Sequence, residues 1–319
     1  MTAVFVTETL SFKIGGRKRK VCERWIALDQ SRRTGRRVIV LVHYVALTVE
    51  RPKLVSFSDL TKVGAALQKQ VSRDFSPRWG VNGIVSVFAA LEDVPLGYWP
   101  VIVTEKVLGT HGYHEDKSGQ PFSLVQAGDS WSLIASHETL EMLADPFGKR
   151  LIAGQSPKRG QGRVEFLVEV CDPTEAAANA YTVNGILVSD FYTPRYFDPV
   201  ASRNVQYSYS GAVKRPREVL AGGYVSWHDP QSDHWWQQTY FGKAPKFKDL
   251  GAFDGKFKSF RAFTDFHAPE THRLAHLGKA SKPLKGALRS RDLAEQSTSS
   301  RARLWRSQIE ALREEARSS

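Results

Sequence analysis

The chain has 319 residues, 41 % of them hydrophobic, enough apolar side chain to fill one large domain or two ordinary ones. Two cysteines, Cys22 and Cys171, exclude a disulfide framework and a four-cysteine zinc site, and no stretch reaches the roughly 20 apolar residues of a membrane-spanning helix. The start of the chain lacks a secretory pattern, so a cytoplasmic location without a membrane partner is expected, and the net charge of +12 favours nucleic acid or acidic protein surfaces.

In chain order, residues 7–14, 21–28 and 37–47 are rich in β-branched and aromatic side chains and predict strands. The basic segments GGRKRK (15–20) and SRRTGRR (31–37) read as turns between them, first as solvated hairpin tips and second as nucleic-acid contacts. Residues 57–75 space Leu60, Val63, Leu67 and Val71 by three or four positions, one apolar stripe on a helix with Ser58 as N-cap. Two apolar runs of strand length follow at 83–91 and 98–107, then a glycine-containing loop that carries His111 and His114. A helix is expected over 131–144 and a basic, glycine-rich loop over 147–162. Strands are expected over 163–172 and 180–192, the second folded back on itself at Asn184-Gly185.

Beyond Pro199 the periodicity fades, except in the aromatic stretch at 222–241. From Lys243 the composition shifts to Lys, Gly, Phe and Ser, and 280–300 has the composition of a disordered segment. Residues 271–291 contain basic and no acidic side chains. Residues 299–319 recover helical spacing through Leu304, Trp305, Ile309 and Leu312. The expected organisation is an α+β domain over 1–242 and a basic, partly disordered extension over 243–319 that ends in an amphipathic helix.

The segment SWSLIASHETLEMLADP (130–146) puts charge into a core helix. Asp129 or Ser130 can cap its start, and Pro146 with Gly148 ends it. At about 100° per residue, His137 and Glu141 fall among Leu133, Ile134, Leu140 and Ala144, with Glu138 at the rim of that face where water reaches. A buried carboxylate needs compensation by a metal, a hydrogen-bond network or a shifted pKa. Side chains at i and i+4 stand about 6 Å apart on one face, a spacing that lets two ligands close on one ion. His137 and Glu141 are therefore candidate metal ligands and Glu138 the candidate general base. Asp172 and Glu169, in VEVCDP, supply a third ligand from a separate strand. Zn2+ is the first expected ion, and the oxygen-rich ligand set also suits another divalent cation such as calcium or manganese.

His137-Glu138-x-x-Glu141 resembles the H-E-x-x-H pattern of zincin metallopeptidases, with Glu141 where the second histidine stands. Followed by Asp145-Pro146 and by Glu169-x-x-Asp172, it is similar to a variant group that includes the plant Exordium-like proteins and bacterial and phage-encoded proteins without an assigned activity. The likeness covers residues 108–197. It implies a zincin-like fold, with a mixed twisted sheet, a backing helix and an active-site helix. It also implies hydrolysis of a peptide or protein substrate, Glu138 taking the proton of an activated water. By the same analogy an extended peptide would lie along residues 98–107 or the His111 segment.

Other residues carry two readings each. Asp145 stops the helix and can orient His137 by accepting its second N–H. His111 and His114 are extra ligands, substrate contacts or loop packing. Cys171 is a small buried hydrophobe rather than a nucleophile. His228, Asp229, Asp233 and His234 offer a second metal site or an aromatic platform, against the stronger reading that such aromatics close a core and the Asp-Pro pair makes a turn. The competing function is a non-catalytic binding or assembly protein of zincin shape that grips nucleic acid or an acidic partner through residues 271–291.

Overall fold

The computed structural model describes the backbone of residues 4–14 and 17–28, and residues 41–107 and 109–267 with their side chains. Two compact units divide the chain after His43. In the first, β1 (Val4–Ile14) and β2 (Arg17–Leu28) pair antiparallel, with a register shift at Leu10/Ser11. Arg17 to Lys20, expected in a turn, open β2. The basic segments at 31–37 and 271–291, and the terminal amphipathic pattern, lie outside the described residues.

The second unit contains a five-stranded sheet of β3 (Val42–Val49), β4 (Asn82–Val87), β5 (Tyr98–Thr104), β6 (Gly112–Lys117) and β7 (Gln120–Gln126). Its order is β4-β3-β5-β7-β6, with β3, β5 and β7 parallel and β6 antiparallel to β7. The parallel strands are covered on both faces, which is why VALTV and VIVT read as unbroken apolar runs. β5 lies between two neighbours, so of the two segments expected to form an open edge only the one after His111 does so. That segment is strand β6 rather than a loop. Its sequence, GYHEDK, hides the strand because an edge tolerates charge.

Between β3 and β4 runs α1 (Phe57–Lys69), which continues as a π-helical segment over Gln70–Phe75 and the short α2 (Ser76–Trp79). Leu60, Val63, Leu67 and Val71 are all buried, as their spacing predicts. Ser56 caps the helix in place of Ser58, its Oγ accepting from the Asp59 backbone N at 3.1 Å.

After β7 comes α3 (Trp131–Ala144), the expected helix with the expected bounds; Ser130 precedes it without a side-chain cap bond. It packs on β5, β6 and β7 and also touches α1. The polar Gln70 and Ser136 are buried between the two helices and satisfy each other, Ser136 Oγ donating to Gln70 Oε1 at 2.8 Å. Ser136 Oγ accepts from Ser189 N at 2.9 Å, and Gln70 Nε2 donates to Ser189 O at 2.9 Å.

A second five-stranded sheet is antiparallel throughout. It is built from β8 (Leu151–Gln155) and β9 (Arg163–Leu167) together with three later strands. The chain first makes the hairpin of β10 (Tyr181–Val183) and β11 (Ile186–Val188). Asn184 and Gly185 turn it with φ of 52° and 77°, the two positive values a two-residue hairpin turn of this kind needs. Then come β12 (Tyr224–Asp229), β13 (His234–Thr239) and β14 (Lys246–Gly251), giving the order β14-β13-β12-β9-β8.

The expected loop at 147–162 thus contains β8, and residues past Lys243 contain β14 and α4 (Phe260–His267). Both missed strands are sheet edges with exposed positions, so neither carries an apolar alternation. Phe263 of α4 packs with Leu167, Trp235 and Leu250. The architecture is α+β with few helices, and among the described residues no helix is long and apolar enough to cross a membrane.

Candidate metal centre

The site forms where α3, β6, the turn after β9 and α4 converge. Every face of α3 is covered, because β5 to β7 take one side and the chain around Cys171 and Ser189 takes another. The edge position expected for Glu138 is therefore closed. Its side chain is only 4 % exposed, whereas that of His137 is 14 % exposed.

His137 Nε2 stands 3.1 Å from Glu141 Oε2 and 3.3 Å from Asp172 Oδ1. Glu141 is fixed by its other oxygen, which accepts from the Cys171 backbone N at 3.1 Å. Asp172 opens the 3-10 turn Asp172–Thr174, so a short run out of β9 delivers it opposite the helical pair. Glu141 Oε2 and Asp172 Oδ1 are buried without a hydrogen-bond partner. A four-coordinate ion with bonds of about 2.1 Å spaces its ligand atoms by about 3.4 Å, close to the two separations found here.

Three ligand-bearing groups have atoms within 4.8 Å of one another: His137, Glu141 and Cys171; His114, Glu138 and Glu141; and Glu141, Glu169 and Asp172. Buried His, Glu and Asp side chains here can hold a metal ion, and Glu141 belongs to every group. His111 belongs to none among the described residues; burial lowers its pKa, and its Nδ1 has no hydrogen-bond partner. Asp145 orients His114 and not His137. Its carbonyl faces His114 Nε2 at 3.0 Å, while its carboxylate accepts from Arg150 N at 2.7 Å.

Two residues that the sequence reading missed complete the cluster. Arg261, from α4, is buried with Nε 3.3 Å from Glu169 Oε2 and Nη2 3.6 Å from Glu138 Oε2, and it donates through Nη1 to His114 O at 2.5 Å. Glu175, three positions after Asp172, is buried with Oε2 unpartnered. The run DPTE was the signal for Glu175; nothing near Arg261 in the sequence points to the site.

Electrostatics follow from packing acids this closely. Burial opposes the charge on His137, yet Glu141 and Asp172 outweigh it and hold its pKa well above the usual histidine value. Glu141 is likewise penalised by burial but is held below the usual carboxylate range, chiefly by His137. Burial pushes Asp172, Glu169 and Glu175 well up, and the Glu141 charge adds to each. The Cys171 thiol is pushed up by burial, consistent with a small buried side chain.

Away from the site, Trp227 and Trp235 are buried in the core. His228 pairs with Glu165 at 3.1 Å and Asp233 at 3.0 Å, and His234 with Asp249 at 2.9 Å. These residues belong to none of the ligand-spaced groups among the described residues. Comparison with known protein families, curated proteins and solved structures returned no match.

Gly112 sets how closely β6 approaches α3. A Cβ there would lie 2.4 Å from Ile134 Cγ2 and 2.9 Å from Glu138 Oε1. Gly112→Ala is expected to destabilise the fold by about 1–3 kcal/mol through overpacking, read by urea denaturation. An unchanged midpoint would mean the strand and helix are not held this close.

Proposed function

We propose that the protein is a divalent-metal-dependent hydrolase of zincin-like architecture that cleaves peptide bonds. The observation that carries this is His137 Nε2 beside two buried carboxylate oxygens that have no hydrogen-bond partner, Glu141 Oε2 and Asp172 Oδ1. A helix supplying the i, i+4 pair, against a sheet whose antiparallel edge strand borders the same helix, supports the architectural part.

His137, Glu141 and Asp172 would hold the ion, with Glu169 near enough to join them. Zn2+ suits a set with one imidazole, and a harder divalent ion suits the carboxylates. When bound, the ion supplies Lewis acidity to a water and to the scissile carbonyl. Glu138, adjacent on α3, accepts the proton of the attacking water and passes it to the leaving amine. The β6 edge offers backbone hydrogen bonds to an extended chain. At present Lys258 pairs with Glu115 at 3.0 Å and Arg261 binds the His114 carbonyl, so an incoming peptide has to displace that segment.

Metal analysis of the purified protein tests the reading. About one equivalent of zinc, manganese or calcium, or more, is expected, and Glu141→Ala should remove it. Only a trace of metal, unchanged by that substitution, would sink the proposal. Affinity is also expected to weaken as pH falls, by about tenfold per unit for each proton displaced. The sign follows from His137, which must be neutral to bind and whose proton the neighbouring carboxylates retain to above the usual histidine range. Competition against a chromophoric chelator across pH measures this, and a flat profile would contradict it.

A further inference from the structure

We propose that the centre holds two divalent cations, the second bound by His114, Glu138 and Glu141, with Glu141 shared between the two. This rests on the metal-dependent reading above and extends it to a site on β6.

His114 Nε2 lies 3.0 Å from the Asp145 carbonyl. A carbonyl oxygen only accepts, so Nε2 is the ring donor and Nδ1 is the nitrogen left to serve as a ligand on the other side. There it meets Glu138 Oε2 at 3.5 Å and Glu141 Oε2 at 3.8 Å. All three atoms are buried and none has a hydrogen-bond partner. Three such atoms facing one another offer a cation three ligands.

The separations favour a metal over a proton. An N–H to carboxylate bond draws its atoms to about 2.7–2.9 Å, well inside the distances found. Around an ion with bonds of about 2.1–2.2 Å, neighbouring ligand atoms stand about 3.0–3.8 Å apart. Arg261 Nη2 flanks Glu138 Oε2 at 3.6 Å and still leaves that oxygen unbonded.

Charge favours cations at this centre. Glu138, Glu141, Glu169, Asp172 and Glu175 are buried together, and Arg261 is the guanidinium paired to them among the described residues. These carboxylates outnumber the one guanidinium, an excess of acid that suits bound cations. Glu141 Oε2 is the natural bridge, since it is 3.1 Å from His137 Nε2 and 3.8 Å from His114 Nδ1. Two ions sharing one oxygen sit about 3.5–4 Å apart, the arrangement of two-metal hydrolases. Glu138 binds through Oε2, which leaves Oε1, on the Gly112 side, for proton transfer.

The test is metal-free protein reloaded with Mn2+, with stoichiometry by elemental analysis and electron paramagnetic resonance. The expected result is two equivalents and an exchange-coupled spectrum. His114→Gln, which keeps a donor for the Asp145 carbonyl and has no atom at Nδ1, should retain one equivalent with an uncoupled six-line spectrum. One equivalent in the wild type that His114→Gln keeps overturns the second site and leaves the first reading standing; one equivalent that His114→Gln loses overturns the two-ion centre and contradicts the first reading's ligand set as well. No bound manganese, zinc or calcium removes both. If His114→Gln does not fold, the wild-type stoichiometry and coupling decide alone.

Discussion

Glu138→Gln is expected to reduce peptide hydrolysis by about 10²–10⁴-fold while the ion at His137, Glu141 and Asp172 stays bound. The substitution preserves shape, so the contacts of α3 with β6 remain, but an amide cannot take a proton from water. Glu138 is not one of the three atoms clustered at His137 Nε2, so metal content at that position should not follow activity. The assay is cleavage of an unfolded protein substrate by reloaded enzyme, with elemental analysis of the same sample. Cleavage that persists in Glu138→Gln would remove the assigned role, and Glu175, buried and unpartnered nearby, would become the next base to test. Loss of the His137-centred ion along with cleavage, leaving no metal bound, would instead make Glu138 a ligand of that ion.

How far the sequence carried this reading depended on whether the informative pattern was local. His137, Glu141 and the bounds of α3 were legible because helical periodicity turns spacing into geometry. The Asn184-Gly185 turn was legible because two positive φ values leave few residue choices. The wheel failed on Glu138, since it assumes a solvent side and α3 has none. Asp145 meets His114 rather than His137 for a related reason: which ring faces its carbonyl is set by where β6 lies, and GYHEDK carries no local sign of a strand. Arg261 was beyond reach, because its relation to Glu138 and Glu169 exists only after α4 docks through Phe263 onto Trp235.

Arg261 also yields the largest expected effect on stability. It is buried against Glu169, Glu138 and Asp265 and bonds the His114 carbonyl, and its backbone N donates to Gly148 O at 3.2 Å. Truncation to alanine leaves buried carboxylates without their guanidinium, and removing one partner of such an arrangement costs about 3–5 kcal/mol. Arg261→Lys is expected to recover only part of this, since an ammonium is a point charge and cannot reach three acceptors in a fixed fork. Glu169 already has a raised pKa from burial and from Glu141, and loss of Arg261 raises it further. The folded variant then binds more protons than its unfolded chain at neutral pH, so acidification stabilises it until the unfolded carboxylates protonate too. The deficit relative to wild type should therefore be smaller at about pH 5.5 than at about pH 8. A divalent ion that binds only the folded state should narrow the deficit at neutral pH as well. Urea denaturation at both pH values, with and without Mn2+, reads all of this. A variant within about 0.5 kcal/mol of wild type at neutral pH would show that Arg261 is a surface pair in effect, and that the acids it touches are neutralised by other means.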